Sequence, residues 1–389
     1  MLKAFKVEIK PTKEQANRIN QSIGVVRFIY NLFISHNKKR HEDGKSFMGA
    51  NDFSKWLNNS FIPENPEYIW VKEAPSKSVK QAMVYCEKAY KKFFKGLSGF
   101  PKTKKRYNED TGMYLIGNKT SFHVERHRIK IPLFGYVRLK EFGYIPTNEK
   151  VSSCTITKRA GRYFISVLVK LEDKECLTNK NTGNPIGVDL GIKDFAICSD
   201  ERVYKNINKT NKKIKKLESK LKREQRKLSK KIQISKKKKS KTGEYPTNKN
   251  LAKNNLRLKK IHYKLSNIRQ GYVKFVVNDL LSGAPEYIAI EDLNVSGMMK
   301  NRHLSKAIQQ QNFYFFRLFL TLRCSNLSIP LRVIGRFYPS SKLCSFCNNK
   351  HSNLKLKDRT FNCPSCGVSI DRDWNAALNI RDCEEFIIV

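Results

Sequence analysis

The chain reads as a multidomain α+β protein. Three observations predict this: its length of 389 residues, two stretches of β-type alternation separated by helical patterning, and short apolar strands that end in acids in the C-terminal half. A hydrophobic content of 40% is enough to build real cores. A single domain seldom reaches this length, so two or three are expected.

The elements follow in order. In KAFKVEIK (3–10), Phe5, Val7 and Ile9 alternate as on a half-buried strand that Pro11 ends. Thr12 and Gln15 form a capping-box pattern, and Ile19, Ile23, Val26, Ile29 and Tyr30 recur at helical spacing behind it. Phe28 and Tyr30 are read as core. Residues 40–75, polar and carrying Pro63, Pro66 and Pro75, read as loop-rich, and a helix over about 76–96 stops at Gly96. GFPKTKKR follows as a basic loop. Between 120 and 172 the pattern is β, with a hairpin turn at Ala160-Gly161; His123 and His127 there show no ligand spacing. Residues 173–184 read as a linker, and IGVDLGIKDFAICSD as two strands around a glycine turn. Over 207–281 the pattern is helical, with Ile214, Leu221 and Leu228 at heptad spacing and Leu217 beside them. SKKKKSKTGEYPTNKN (235–250) interrupts that pattern, so a helical hairpin is expected. EYIAIEDL is a further short strand, and NFYFFRLFLTL reads as a buried core helix despite Arg317.

Charge narrows the function. With 77 Lys+Arg against 34 Asp+Glu the net charge is +43, which calls for a polyanionic partner. Residues 211–240 hold 15 Lys/Arg and 2 Glu, so this arm is expected to lie along something anionic. No stretch of 18 apolar residues escapes a charge, and the start lacks a signal-peptide pattern, so a cytoplasmic nucleic-acid binder is expected rather than a membrane or secreted protein. Ten cysteines fit a reducing compartment. Four of them form Cys344-x2-Cys347 and Cys363-x2-Cys366, the spacing of one structural Zn²⁺ held by four thiolates with no position left for water.

Three acids stand at the ends of apolar strands or the start of a helix: Asp189 in IGVDLG, Glu291 in IAIEDL and Asp373 in DRDWNAALNI. A carboxylate in such a place costs desolvation unless it pairs or binds a cation. Three that converge would hold two Mg²⁺ ions for phosphodiester hydrolysis. Singly, each has a structural explanation, Asp371 or Asp373 as the cap of the last helix above all.

GVDLGIKDFAICSD, EDLNVSGMMKNRHLSKAI, FYPSSKLCSFC and CPSCGVSIDRDWNAALNI resemble the split nuclease and zinc-ribbon motifs of the TnpB family, transposon-encoded RNA-guided DNA nucleases related to compact type V CRISPR effectors. KAFKVEIKPTKEQ, RFIYN and GFPKTKKR extend the likeness over nearly the whole chain. The resemblance implies a wedge β-barrel domain (1–15 and 120–180), a helical recognition domain inserted in it (16–119), a ribonuclease-H-like (RuvC) nuclease domain (184–340) with a basic helical hairpin (207–281), a zinc ribbon (341–369) and a last nuclease segment (370–389). It implies catalytic Mg²⁺ ligands at Asp189, Glu291 and Asp373, with Asp371 left as a cap or as a group that supports those ligands. The expected partners are a guide RNA encoded near the gene and double-stranded target DNA bearing a short adjacent motif, with the protein on the nucleoid when bound. Lys77 and Gln81, one turn apart on the helix at 76–96, have the spacing to reach adjacent base edges, as well as that of an ordinary solvated face. Three other readings stay open: a nuclease-inactive RNA-guided repressor, a CRISPR-associated effector with the same chemistry, and a non-catalytic basic zinc-ribbon RNA binder.

Overall fold

A computed structural model describes residues 2–106, 112–116, 122–171, 181–242, 249–355 and 358–389. The chain divides into two compact units, Met1–Lys174 and Glu175–Val389. Most of the linker expected at 173–184 lies outside the described residues.

In the first unit β1 (Leu2–Lys10) buries Phe5, Val7 and Ile9, the alternation read in the sequence. The capping box forms: Thr12 Oγ1 accepts from the Gln15 N–H at 3.2 Å and Gln15 Oε1 from the Thr12 N–H at 3.0 Å. It starts α1 (Lys13–Glu42), whose buried stripe includes Ile19, Val26, Ile29, Tyr30 and Phe33. Then come α2 (Ala50–Trp56), a π turn (Leu57–Phe61), the single turn α3 (Ile62–Glu64) and a 3₁₀ segment (Pro66–Glu73). This corrects the loop-rich reading of 40–75. Ala50, Phe53, Leu57 and Ile62 are buried at helical spacing; Pro63 follows directly on the π turn, and Pro66 sits in a first turn, where the missing N–H has no partner to lose. The helix α4 (Ser76–Phe94) closes this layer and ends at Gly96, whose φ of +68° suits a residue without Cβ. The basic loop behind it is tied to α1, because Asn31 bonds both backbone groups of Lys104.

The strands β2 (Gly112–Ile116), β3 (His123–Val124), β4 (Arg128–Ile131), β5 (Gly135–Leu139), β6 (Val151–Arg159) and β7 (Arg162–Lys170) join β1 in an antiparallel sheet of order β2-β6-β7-β1-β5-β4-β3. Among the described residues no ladder joins β2 to β3. The sheet takes in β2 from the span read as helical. The two-residue hairpin turn falls at Ala160 and Gly161, with φ +52° and +76°.

The second unit is built on β8 (Ile186–Leu190), β9 (Asp194–Cys198) and β10 (Val203–Lys205). A short turn α5 (Ile207–Thr210) leads into the long helices α6 (Lys212–Thr242) and α7 (Lys249–Leu281). The interruption at 235–250 is therefore shorter than expected: the apolar pattern stops at 235, but lysine is a good helix former and the helix runs on to Thr242. Ile214, Ile261 and Leu265 make the seam of this hairpin with Leu217 and Leu221. Next are β11 (Ile288–Glu291), α8 (Val295–Met298), α9 (Ser305–Gln311), α10 (Phe313–Leu327), β12 (Leu331–Ile334), β13 (Thr360–Asn362), β14 (Ser369–Asp371), α11 (Arg372–Arg381) and β15 (Phe386–Ile388). The main sheet has the order β10-β9-β8-β11-β12-β15, in which β8, β11 and β12 are parallel.

Alternation sorts this sheet into two faces. Ile186, Val188, Ile288 and Ile290 pack with Val273, Val276 and Leu280 of α7 and with Phe313, Phe316 and Leu320 of α10. Ala289 and Ile334 turn the other way, toward Ile380 of α11. The helix α10 is only half buried, against the fully buried expectation: Tyr314, Leu318 and Leu322 are exposed on its outer side. Arg317 leaves the core to pair with Asp292. Among the described residues no helix is long and apolar enough to cross a membrane.

Candidate active site and metal centre

The four predicted cysteines come together. Their Sγ atoms all lie within 4.8 Å of one another, with Cys344–Cys366 at 3.6 Å and Cys347–Cys363 at 3.5 Å. A tetrahedron of Zn–S bonds of about 2.3 Å has edges of about 3.8 Å, so these thiols fit one zinc ion as a closed, structural site. The Cys366 N–H donates to Cys363 Sγ and lowers that thiol, while the neighbouring thiols raise Cys366, the mutual cost of four gathered sulfurs that a bound cation would relieve. Phe361 and Ile370, on the β13–β14 hairpin, pack beneath.

The three acids are placed by the main sheet and α11. On β8 the pleat puts Val188 toward α7, so Gly187 and Asp189 face α11. On β11 the same rule sends Ala289 and Glu291 to that face. The parallel register pairs Ala289 with Gly187 and Ile290 with Val188, so one step further sets Glu291 beside Asp189 at the strands' C-terminal ends. The helix α11 reaches this face because residue 187 is glycine: a Cβ there would meet the Ala377 carbonyl at 2.1 Å. Asp373 stands in the first turn of α11. Asp371 is the N-cap, its Oδ1 accepting from the N–H groups of Asp373 (2.9 Å) and Trp374 (3.0 Å), as expected of the acid left over.

Electrostatics links Asp189 to the other two. Burial raises the Asp189 carboxyl, and the charges of Asp373 and Glu291 push it further, to about 7. Burial, and then Asp292, also raises Glu291. Asp292 itself is held down by hydrogen bonds from Arg317 and Arg336. Carboxylates that penalise one another's charge fit a divalent cation, which would relieve the cost. The set is not drawn tight around a point. Among the described residues only the four cysteines gather within 4.8 Å, and Asp373 turns to Arg372 (2.8 Å) and Arg359 (3.3 Å).

Lys77 is exposed and Gln81 half-buried in the first turns of α4. Lys77 lines an open cleft of about 280 Å³ with Lys72, Lys80 and Asn58, and Gln81 does not reach it. Several residues that shape the site escaped the sequence reading. Asn375 and Asn379 could have been found as amides at i, i+4 inside an apolar helix. Arg359 gives no local signal.

The comparisons with known proteins agree along the chain. The family model described as "Cas12f1-like, TNB domain" matches residues 313–380, that described as "Probable transposase" matches 166–302, and a "Helix-turn-helix domain" model of the same transposase group matches 1–46. In this chain the last span folds as one strand and one long helix. A protein of Escherichia coli K12, named "Putative RNA-guided DNA endonuclease InsQ", is 27% identical over 97% of this chain and 91% of its own length. The chain belongs to the TnpB family. A second relative, from Streptomyces pristinaespiralis and named as the same kind of endonuclease, is 26% identical over 97% of this chain and 88% of its own. Among solved structures, the Cas12f1 chain of a complex with single guide RNA and target DNA has the same overall fold, at a TM-score of 0.56, 13% identity and 98% and 99% coverage.

Proposed function

We propose that this TnpB-family chain is an RNA-guided DNA endonuclease that hydrolyses phosphodiester bonds at Asp189, Glu291 and Asp373. The observation that supports it is the placement of Asp189 and Glu291 at the ends of adjacent parallel strands, facing the start of α11, with Asp189 raised to about 7 by burial first and then by the charges of Asp373 and Glu291. The names of the two long relatives support RNA guidance and DNA as substrate. The order β10-β9-β8-β11-β12, in which β9 alone runs antiparallel to the other four, supports a ribonuclease-H-like centre. By this reading the described sheet and helices of the first unit are the wedge and recognition domains, and the hairpin of α6 and α7 is a phosphate-binding arm. The second unit is the nuclease domain carrying the ribbon.

In that site Asp189, Glu291 and Asp373 would hold two Mg²⁺ ions. Bound there, these would supply an activated water and neutralise the leaving oxygen. The chain does the rest. Arg317 and Arg336 are engaged by Asp292, which leaves the Glu291 charge for a cation. The valines and leucines of α7, with Phe313, Phe316 and Leu320 of α10, keep water from the back of the sheet. Base pairing by a guide RNA would read sequence, with Lys77 and its neighbours at the adjacent motif.

The deciding experiment is to purify the chain with the RNA it carries, sequence that RNA, and assay the complex on matching duplex DNA. The expected result is one abundant RNA with a variable guide segment and Mg²⁺-dependent cutting. Guide-directed binding without cutting by the intact chain would favour the repressor, and a heterogeneous mixture of RNA the plain ribbon binder.

A further inference from the structure

The helix that bears Asp373 is held from two sides, and only one of them is the sheet. On the sheet side Trp374 Nε1 donates to the Ser199 carbonyl at 3.2 Å, and the backbone of α11 rests on Gly187. On the other side stand Asn375, with no exposure at all, and Asn379, at 5%. Asn375 Nδ2 donates to the Leu343 carbonyl at 2.6 Å, and its Oδ1 accepts from the Ser345 N–H at 3.0 Å. Asn379 Nδ2 donates to the carbonyls of Ser340 at 2.7 Å and Leu343 at 2.8 Å.

Leu343 and Ser345 are the residues on either side of Cys344. The four bonds therefore grip the backbone of the first knuckle where it presents its thiol. That backbone is irregular, so without the asparagines several of its polar groups would be buried unpaired. Neither an apolar side chain nor a carboxylate could replace Asn375, which must donate and accept at once. The second knuckle reaches the same helix along the chain: β14 ends in the Asp371 cap, and the Arg372 N–H donates to the Arg359 carbonyl at 2.8 Å.

We propose that Asn375 and Asn379 are positioning residues that couple the four-cysteine centre to Asp373. When the thiolates are gathered around zinc, the knuckle offers its carbonyls and N–H in the one arrangement the two amides can meet, and α11 is fixed with Asp373 toward Asp189. When the metal leaves, the knuckle loses that arrangement, the amides lose their partners, and the first turn of α11 loosens. The consequence for cleavage rests on the nuclease reading. The coupling itself does not.

The test is amide hydrogen exchange on the full chain without nucleic acid, before and after zinc is stripped by a chelator and again after it is restored. The expected result is exchange at least tenfold faster at 372–380 on stripping, reversed by zinc, with a much smaller increase in β8 and β9. Unaltered exchange at 372–380 overturns the proposal, and so does equal loosening of the whole second unit. In Asn375→Asp, which keeps the acceptor but sets an oxygen against the Leu343 carbonyl, elemental analysis should still find one zinc per chain. Its 372–380 exchange should be fast already and insensitive to the chelator; exchange like that of the unaltered chain overturns the coupling. If the reconstituted complex cuts, the same variant should need about tenfold more Mg²⁺ for half-maximal rate and recover that rate at saturation. A chain that cuts nothing removes the nuclease reading and leaves the exchange result to stand or fall alone.

Discussion

At the scale of single residues the site depends on two opposite requirements, a charge where charge is costly and no side chain where one would be expected. Asp189→Ala should abolish cleavage while guide-directed DNA binding survives, since the side chain lies inside a formed sheet and supports no packing. Loss of binding as well would make it a structural acid. The raised carboxyl adds a pH prediction. A folded-state value near 7, against about 4 in the unfolded chain, means that the folded protein holds a proton the unfolded one releases. Without divalent cations, stability should therefore fall as pH rises from about 4 to about 7 and then level off. Mg²⁺ competes with that proton, so its stabilising effect should grow over the same window. Melting temperatures measured with chelator and with Mg²⁺ would check this, and identical pH profiles would contradict cation binding at Asp189. Gly187→Ala should lower stability by several kcal/mol, because the new Cβ would strike the Ala377 carbonyl and nothing nearby can move cheaply. Denaturant midpoints would show it.

At the scale of elements, sequence pattern was readable wherever one face of an element is buried and the other wet. The strand β1 follows that rule; the capping box of α1 and the hairpin at Ala160-Gly161 are legible from cap and turn chemistry, and the strands bearing Asp189 and Glu291, covered on both faces, from short apolar runs that end in acids. The misreadings have two causes: polarity and prolines weighed above spacing in 50–62, and the lack of a polar face in α10. In 50–62 the buried positions recur at helical intervals, yet the residues between them are polar enough to look like loop. In α10 apolar residues surround the helix, and nothing in the sequence says that Tyr314 and Leu318 stay outside while Phe313 and Phe316 go in. In the candidate site each acid was legible from its place at a strand or helix end. Of the arginines that hold Asp373, Arg372 is its neighbour in sequence, whereas Arg359 lies outside α11 and has no local signature. The basic arm permits a further prediction at this scale. Lys213, Lys216, Lys220, Lys222 and Lys230 are all exposed on α6. If each meets a phosphate of the RNA, changing all five to Gln should lessen the slope of log affinity against log salt by about 3 to 4, at about 0.7 per contact. An unaltered slope would leave the arm a solvated helix.

At the scale of the whole molecule, each hydrophobic core lies within one unit. The large apolar clusters of the sheet β1–β7 and of α1–α4 fall before residue 174, while those of the main parallel sheet, the helical hairpin and the ribbon fall after 175. Separate cores can unfold as separate cooperative steps. Zinc binds only the folded ribbon, so it stabilises the unit that contains the ribbon by mass action and has no such effect on the other. Calorimetry of the full chain should therefore resolve two transitions. Stripping zinc, or replacing Cys347 with Ser, should move one of them down by several degrees and leave the other in place, with elemental analysis confirming the loss of metal. A single transition that shifts as a whole would mean that the two units melt as one. Two transitions, both indifferent to zinc, would mean that the four thiols hold no metal that matters to the fold, and the bracing of Asp373 by the ribbon would fall with them.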